Sequence, residues 1–172
     1  MKRLAIALVG VLLAAGCSSS NSSSPSTTNP NAVRFTAALT PAQETPPISG
    51  AEASGSGTAT IDFALTRDAS NAISSATVNF QVTMQGFPST AVVNIAHIHT
   101  GAQGVAGPIL VNTTVNPGEV VLTNGAGTFT RAGLSVPATT AQAIIDNPAG
   151  FYFNVHTAAN PGGVMRAQLV KQ

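Results

Sequence analysis

From Val33 onward, apolar side chains recur at every second position in short runs, and this alternation constrains the chain more than any other feature. Val33, Phe35, Ala37 and Leu39 alternate with Arg34, Thr36 and Ala38 before Pro41 ends the run. Ile61, Phe63 and Leu65 repeat the pattern, as do Val78, Phe80, Val82 and Met84 up to Gly86. Further short runs fall at 91–99, 108–115, 118–123, 126–132, 151–157 and 164–170, with Gly, Pro and Asn between them. A period of two puts alternate side chains on opposite faces of an extended strand. Many short strands with turn residues between them predict an all-β chain, an antiparallel β-sandwich or barrel. One window reads as helix: Thr139 or Thr140 as N-cap, Ala141 to Asp146 as body, Asn147-Pro148 as the stop. It predicts one short connector helix.

The segment before Val33 is different in kind. Lys2 and Arg3 precede an apolar stretch from Leu4 to Ala15, too short to span a bilayer as a stable helix. This is the pattern of an export signal, assigned to residues 1–16. The sequence Leu13-Ala14-Ala15-Gly16-Cys17-Ser18 resembles the bacterial lipobox, in which cleavage precedes a cysteine that then carries diacylglycerol. Ala14 stands where that pattern usually has Leu. Cys17 is the single cysteine of the chain, so lipidation accounts for the leftover thiol and no intrachain disulfide is available. Residues 18–32 are Ser, Thr, Asn and Pro with one alanine and no charge, a composition that cannot bury enough surface to order itself. The expected organisation is a signal (1–16), a lipidated Cys17 with a flexible linker (17–32), and a β domain (33–172). That implies a lipid-anchored protein of the bacterial cell envelope, with its domain outside the cytoplasm. Ser18 is not the Asp-type signal for inner-membrane retention, so the outer membrane is the expected destination where one exists.

Charge removes one class of function. Charged residues are 8 % of the chain and the net charge is +1. Apart from Lys2 and Arg3, the basic residues are Arg34, Arg67, Arg131, Arg166 and Lys171, against six carboxylates. No basic face exists to neutralise phosphates, so nucleic acid is excluded as a partner.

Three stretches together resemble the CHRD domain, the module named for chordin and found in microbial exported proteins. They are Leu39-Thr-Pro-Ala-Gln-Glu44-Thr-Pro46-Pro47, then Ala96-His97-Ile98-His99-Thr-Gly101 with Gly104 and Gly107-Pro108, then Tyr152-Phe-Asn154-Val-His156-Thr157. The last continues into Asn160-Pro161-Gly162-Gly163 and Arg166-Ala-Gln168. Met165 and Ala167 depart from the residues common in the family at those two places. The resemblance covers about Val33 to Leu169. It implies a β-sandwich or barrel of immunoglobulin-like, Greek-key character and an interaction module with no defined catalysis.

All three histidines fall within these stretches. Strand alternation puts His97 and His99 on one face with Val93 and Ile95, and puts Tyr152, Asn154 and His156 on one face of the later strand. An H-x-H on a strand holds two imidazoles roughly 7 Å apart at Cβ, close enough to lean onto one ion. A third His from a neighbouring strand would complete a three-nitrogen site suited to one Cu or Zn ion. The pattern also looks like the copper side of Cu,Zn superoxide dismutases, but this chain has no fourth His and no disulfide. The other reading is a polar structural or ligand-binding cluster in which Glu44, Asn154 and Arg166 support the histidines, with Glu44 and Arg166 forming an ion pair that closes the first and last strands. No G-x-S-x-G elbow and no phosphate-binding glycine loop followed by Lys is present. The eight Phe and Tyr residues read as core.

The sequence therefore supports three readings: an envelope binding module for an extracellular or envelope protein or polymer, a three-His metal protein, or a structural matrix protein with no discrete site.

Overall fold

A computed structural model describes residues 29–172. The expected export signal and Cys17 lie outside the described residues, as does most of the expected linker. Ten strands form two antiparallel sheets, so the chain is all-β and a sandwich. In chain order they are β1 (Ala32–Leu39), β2 (Ser56–Arg67), β3 (Ile73–Gln85), β4 (Val92–Thr100), β5 (Ile109–Asn112), β6 (Val120–Val121), β7 (Gly127–Val136), β8 (Phe151–Thr157), β9 (Met165–Gln168) and β10 (Val170–Lys171). The first sheet has the order β10-β1-β2-β3-β7. The second has β5-β4-β8-β9, with β6 also paired to β4.

The predicted alternation holds where it is cleanest. Phe35, Ile61, Phe63, Val78, Phe80 and Val82 are all buried and form the inner face of the first sheet. Ala96, Ile98, Phe151, Phe153 and Val155 face them from the second. Phe80 and Phe153 lie 5.7 Å apart between ring centroids, and Phe35 meets Phe63 edge to face at 5.8 Å. Offset and edge-on rings of this kind add to the burial term.

The final run is cut in two by the geometry of the sandwich. β9 pairs with β8 in the second sheet, and β10 pairs with β1 in the first, with Leu169 buried at the crossing. A backbone bridge between Thr40 and Arg166 fastens the same corner. The first and last strands are thus joined by main-chain hydrogen bonds.

Two local expectations need correction. The connector helix runs Ala138–Asp146, starting before either threonine, and no side chain caps it. Pro137 sets the start: its carbonyl accepts the first helical bond from the Ala141 amide at 3.0 Å. In β4 the register shifts between Val93 and Ile95. A bulge of this kind reverses the facing of everything before it. Val93 therefore joins Ala96 and Ile98 in the core, and Ile95 alone remains on the histidine face.

Candidate metal centre

The site is built on the outer face of the second sheet. Pairing of β4 with β8 sets His97 opposite Asn154 and His99 opposite Tyr152. Pairing of β8 with β9 continues both rows, to Arg166 and to Gln168. His156 stands opposite Ile95. An outward face should be wet, yet every residue of β8 is buried, because loops fold over this face.

The covering loops are held by the residues they cover. Arg166 donates from Nη2 to the carbonyls of Val105 (3.0 Å) and Ala102 (3.3 Å), and its guanidinium lies 3.6 Å over the Tyr152 ring. Gln168 donates to the carbonyls of Gly101 (2.9 Å) and Ala149 (2.7 Å). His99 stacks on Tyr152 with centroids 4.7 Å apart and planes 2° from parallel. On the other side, the carboxylate of Glu52 accepts from Thr157 Oγ1 at 2.6 Å and Asn160 Nδ2 at 2.5 Å. That pins the 157–163 loop over His156.

The three imidazoles converge. One ligand atom from each of His97, His99 and His156 lies within 4.8 Å of the others, and the ring centroids of His97 are 4.4 Å from His99 and 4.6 Å from His156. His99 Nδ1 is 2.8 Å from the Gly107 carbonyl, and His156 Nδ1 is 2.8 Å from the Pro161 carbonyl. A carbonyl only accepts, so both Nδ1 atoms carry hydrogen and both Nε2 atoms present lone pairs. This is the arrangement by which backbone carbonyls orient imidazole ligands toward a metal.

Inside the cluster the hydrogen-bonding account does not close. His99 Nε2 and His97 Nδ1 are buried with no hydrogen-bond partner among the described residues. His156 Nε2 faces His97 Nε2 at 2.7 Å and Asn154 Oδ1 at 2.8 Å. One proton on His97 Nε2 satisfies the first contact but leaves its Nδ1 bare. The two bare nitrogens, His99 Nε2 and His97 Nδ1, cost about 1–3 kcal/mol each when nothing fills the pocket. Burial holds all three rings below the usual imidazole range. His97 is pushed down to about 3, first by burial and then by its two histidine neighbours. Neutral, buried imidazoles with lone pairs aimed at one another are the state a metal ion requires of its ligands.

The supporting residues divide. Asn154 belongs to the cluster, and its Nδ2 donates toward Glu44 Oε1 at 3.4 Å. Glu44 is buried, and desolvation raises its carboxyl to about 7, offset in part by the Arg166 charge and by the Asn154 hydrogen bond. The expected Glu44–Arg166 ion pair is not among those the described residues form; these are Arg34–Asp62 and Arg131–Glu119. Arg166 turns to the loop carbonyls and Tyr152 instead, and the corner it was to close is held by backbone. Tyr152, read from the sequence as core, is the platform beneath His99 and Arg166. Glu52 was not singled out by the sequence, since an isolated carboxylate among Gly, Ala and Ser carries no signal of a partner more than a hundred residues away.

Fold and site together define an all-β sandwich module with a buried three-imidazole cluster under two loops. The CHRD domain family model matches residues 35–169, and the chain belongs to that family. Met165 and Ala167, its departures from the family pattern, both turn into the core and leave the cluster untouched. Membership supports a non-catalytic interaction module. No curated protein and no solved structure matches the chain.

Proposed function

We propose that this protein is an envelope-tethered interaction module whose binding surface is organised by one copper or zinc ion on His97, His99 and His156. The observation that carries the reading is the convergence of two carbonyl-oriented Nε2 lone pairs and the His97 ring in one buried pocket. Imidazole donors without thiolate suit Cu, Zn, Ni and Fe better than the hard ions Mg and Ca.

An ion there would do mechanical work. It would tie β4 to β8. Through the Nδ1 contacts it would also fix the 101–108 loop at Gly107 and the 157–163 loop at Pro161. The outer surfaces of both loops are exposed: Val105 is 52 % accessible in the first, and Ala158, Ala159, Pro161 and Gly162 are exposed in the second. A partner, protein or polymer, would meet these loops while the ion stays beneath them. The export signal and the lipobox-like Cys17 support placement at the cell envelope with a lipid anchor, on the outer membrane where there is one.

The test is metal retention. Purified protein is incubated with Cu and Zn, dialysed extensively and assayed beside the variant carrying His97→Ala, His99→Ala and His156→Ala. One equivalent kept by the native protein and lost by the variant is expected. No retention by either removes the metal from the reading. For the anchor, Cys17→Ser is expected to move the protein from the membrane to the soluble fraction.

A further inference from the structure

We infer that Asn154 Oδ1 is the fourth ligand, so that the ion sits in a closed N3O site with no position left for substrate. This rests on the three-His reading above and adds a ligand and a consequence to it.

The alternation of β8 puts Asn154 between Tyr152 and His156 on the cluster face, directly opposite His97. Its side chain is 3 % exposed and is aimed inward, with Oδ1 2.8 Å from His156 Nε2. His156 Nε2 is an acceptor, because its Nδ1 donates to Pro161, and Oδ1 is an acceptor too. With the amide in this sense, two acceptors at that distance repel, and a cation between them turns the repulsion into two bonds. Bonds of about 2.0–2.1 Å put the ligand atoms of a tetrahedral site roughly 3.3 Å apart. His97 Nε2 and Asn154 Oδ1, at 2.7 and 2.8 Å from His156 Nε2, each reach that spacing from it with a shift of about half an ångström.

The amide is held in this sense by what lies behind it. Asn154 Nδ2 points to Glu44 Oε1, and a carboxylate accepting from an amide N–H increases the negative character of the amide oxygen. Glu44, ionised, would also supply a countercharge to four neutral donors holding a divalent ion. Gly163 makes the room: a Cβ there would stand 2.7 Å from Asn154 Nδ2 and 2.8 Å from Glu44 Oε1. Its φ of +127° excludes other residues independently.

The consequence is chemical. Catalytic zinc sites keep one position open for water or substrate, whereas structural sites fill all four with protein. Three imidazoles alone would leave the open position. With Asn154 the shell is complete, and the ion fixes loops without reacting.

The test uses the full protein loaded with Co(II), whose visible absorption reports coordination number, and zinc affinity measured by chelator competition. Azide serves as the small anion that enters an open position. The native protein is expected to give a four-coordinate spectrum that azide does not change. Asn154→Ala is expected to weaken zinc binding by more than tenfold, since loss of a mere supporting hydrogen bond already costs about 10–100-fold, and to become azide-responsive. Asn154→Asp, which keeps an oxygen in place, is expected to bind zinc at least as tightly as the native protein and to stay azide-silent. A native cobalt spectrum that azide alters, or an Asn154→Ala protein within twofold of native affinity, overturns the fourth ligand and leaves the three histidines standing. If Asn154→Ala does not fold, Asn154→Asp decides: binding more than tenfold weaker than native overturns the inference. A native protein that holds no ion fails at the earlier step, and is recognised as such because no variant is then needed.

Discussion

At the scale of single residues, the molecule stakes its stability on keeping three buried imidazoles neutral. Each has its protonation depressed by burial. In the unfolded chain they titrate near 6.5, so below that pH the unfolded state binds more protons than the folded one. The contribution of the histidines is complete above about pH 6.5 and is lost as pH falls from there toward the folded values, about 3 for His97. Glu44 acts with the opposite sign. Its folded carboxyl titrates at about 7 against an ordinary 4.5, so its contribution is present below 4.5 and lost as pH rises through 7. Between pH 6.5 and 4.5 the two trends oppose each other. Thermal melting of the metal-free protein is expected to show falling stability on acidification in this range, with three histidines outweighing one carboxyl. Glu44→Gln, uncharged at every pH, is expected to raise Tm at pH 8 and to steepen the acid loss. A Glu44→Gln profile parallel to native would contradict the assignment of Glu44 as a buried, destabilised carboxylate.

At the scale of elements, strand alternation made most of this site legible, and tertiary closure decided the rest. Which face of β8 carries Tyr152, Asn154 and His156 follows from a period of two. That this outward face is buried does not, because the cover comes from loops with no pattern of their own. The β4 bulge was hidden for a related reason: Val93 and Ile95 are both apolar, so a one-residue slip leaves the hydrophobic pattern unchanged. Glu44 and Arg166 were rightly placed near the cluster but wrongly paired, since opposite charge suggests a partner while geometry gave Arg166 two carbonyls and an aromatic face. The loop cover makes its own prediction. A Cβ on Gly107 would stand 1.7 Å from the backbone oxygen of Thr100 at the end of β4. Gly107→Ala must displace the loop and take the carbonyl partner of His99 with it. Chemical denaturation is expected to show a loss of about 1–3 kcal/mol, and metal affinity to fall roughly 10–100-fold. Native affinity in a folded Gly107→Ala protein would show that His99 does not need that carbonyl.

At the scale of the whole molecule, two sheets share one aromatic core, and the final run of the chain crosses between them at Leu169. The absence of disulfides leaves this core to hold the sandwich alone. Phe80 sits at its centre against Phe153, on the strand whose other face carries His156. Phe80→Ala is expected to cost about 3–5 kcal/mol in urea unfolding, and a loss under 1 kcal/mol would mean that the sheets are not coupled through this pair. The core faces one way and the imidazoles the other, so the sandwich works as a rigid back for a site that its loops close. The claim on which the functional reading depends is that an ion fills the space between the three histidines. Anomalous diffraction from crystals grown with zinc or copper, recorded at the metal edge, tests it most directly. The account predicts a single strong peak about 2.0–2.2 Å from nitrogens of His97, His99 and His156. A map with no peak there, or with peaks only at the surface, would contradict it.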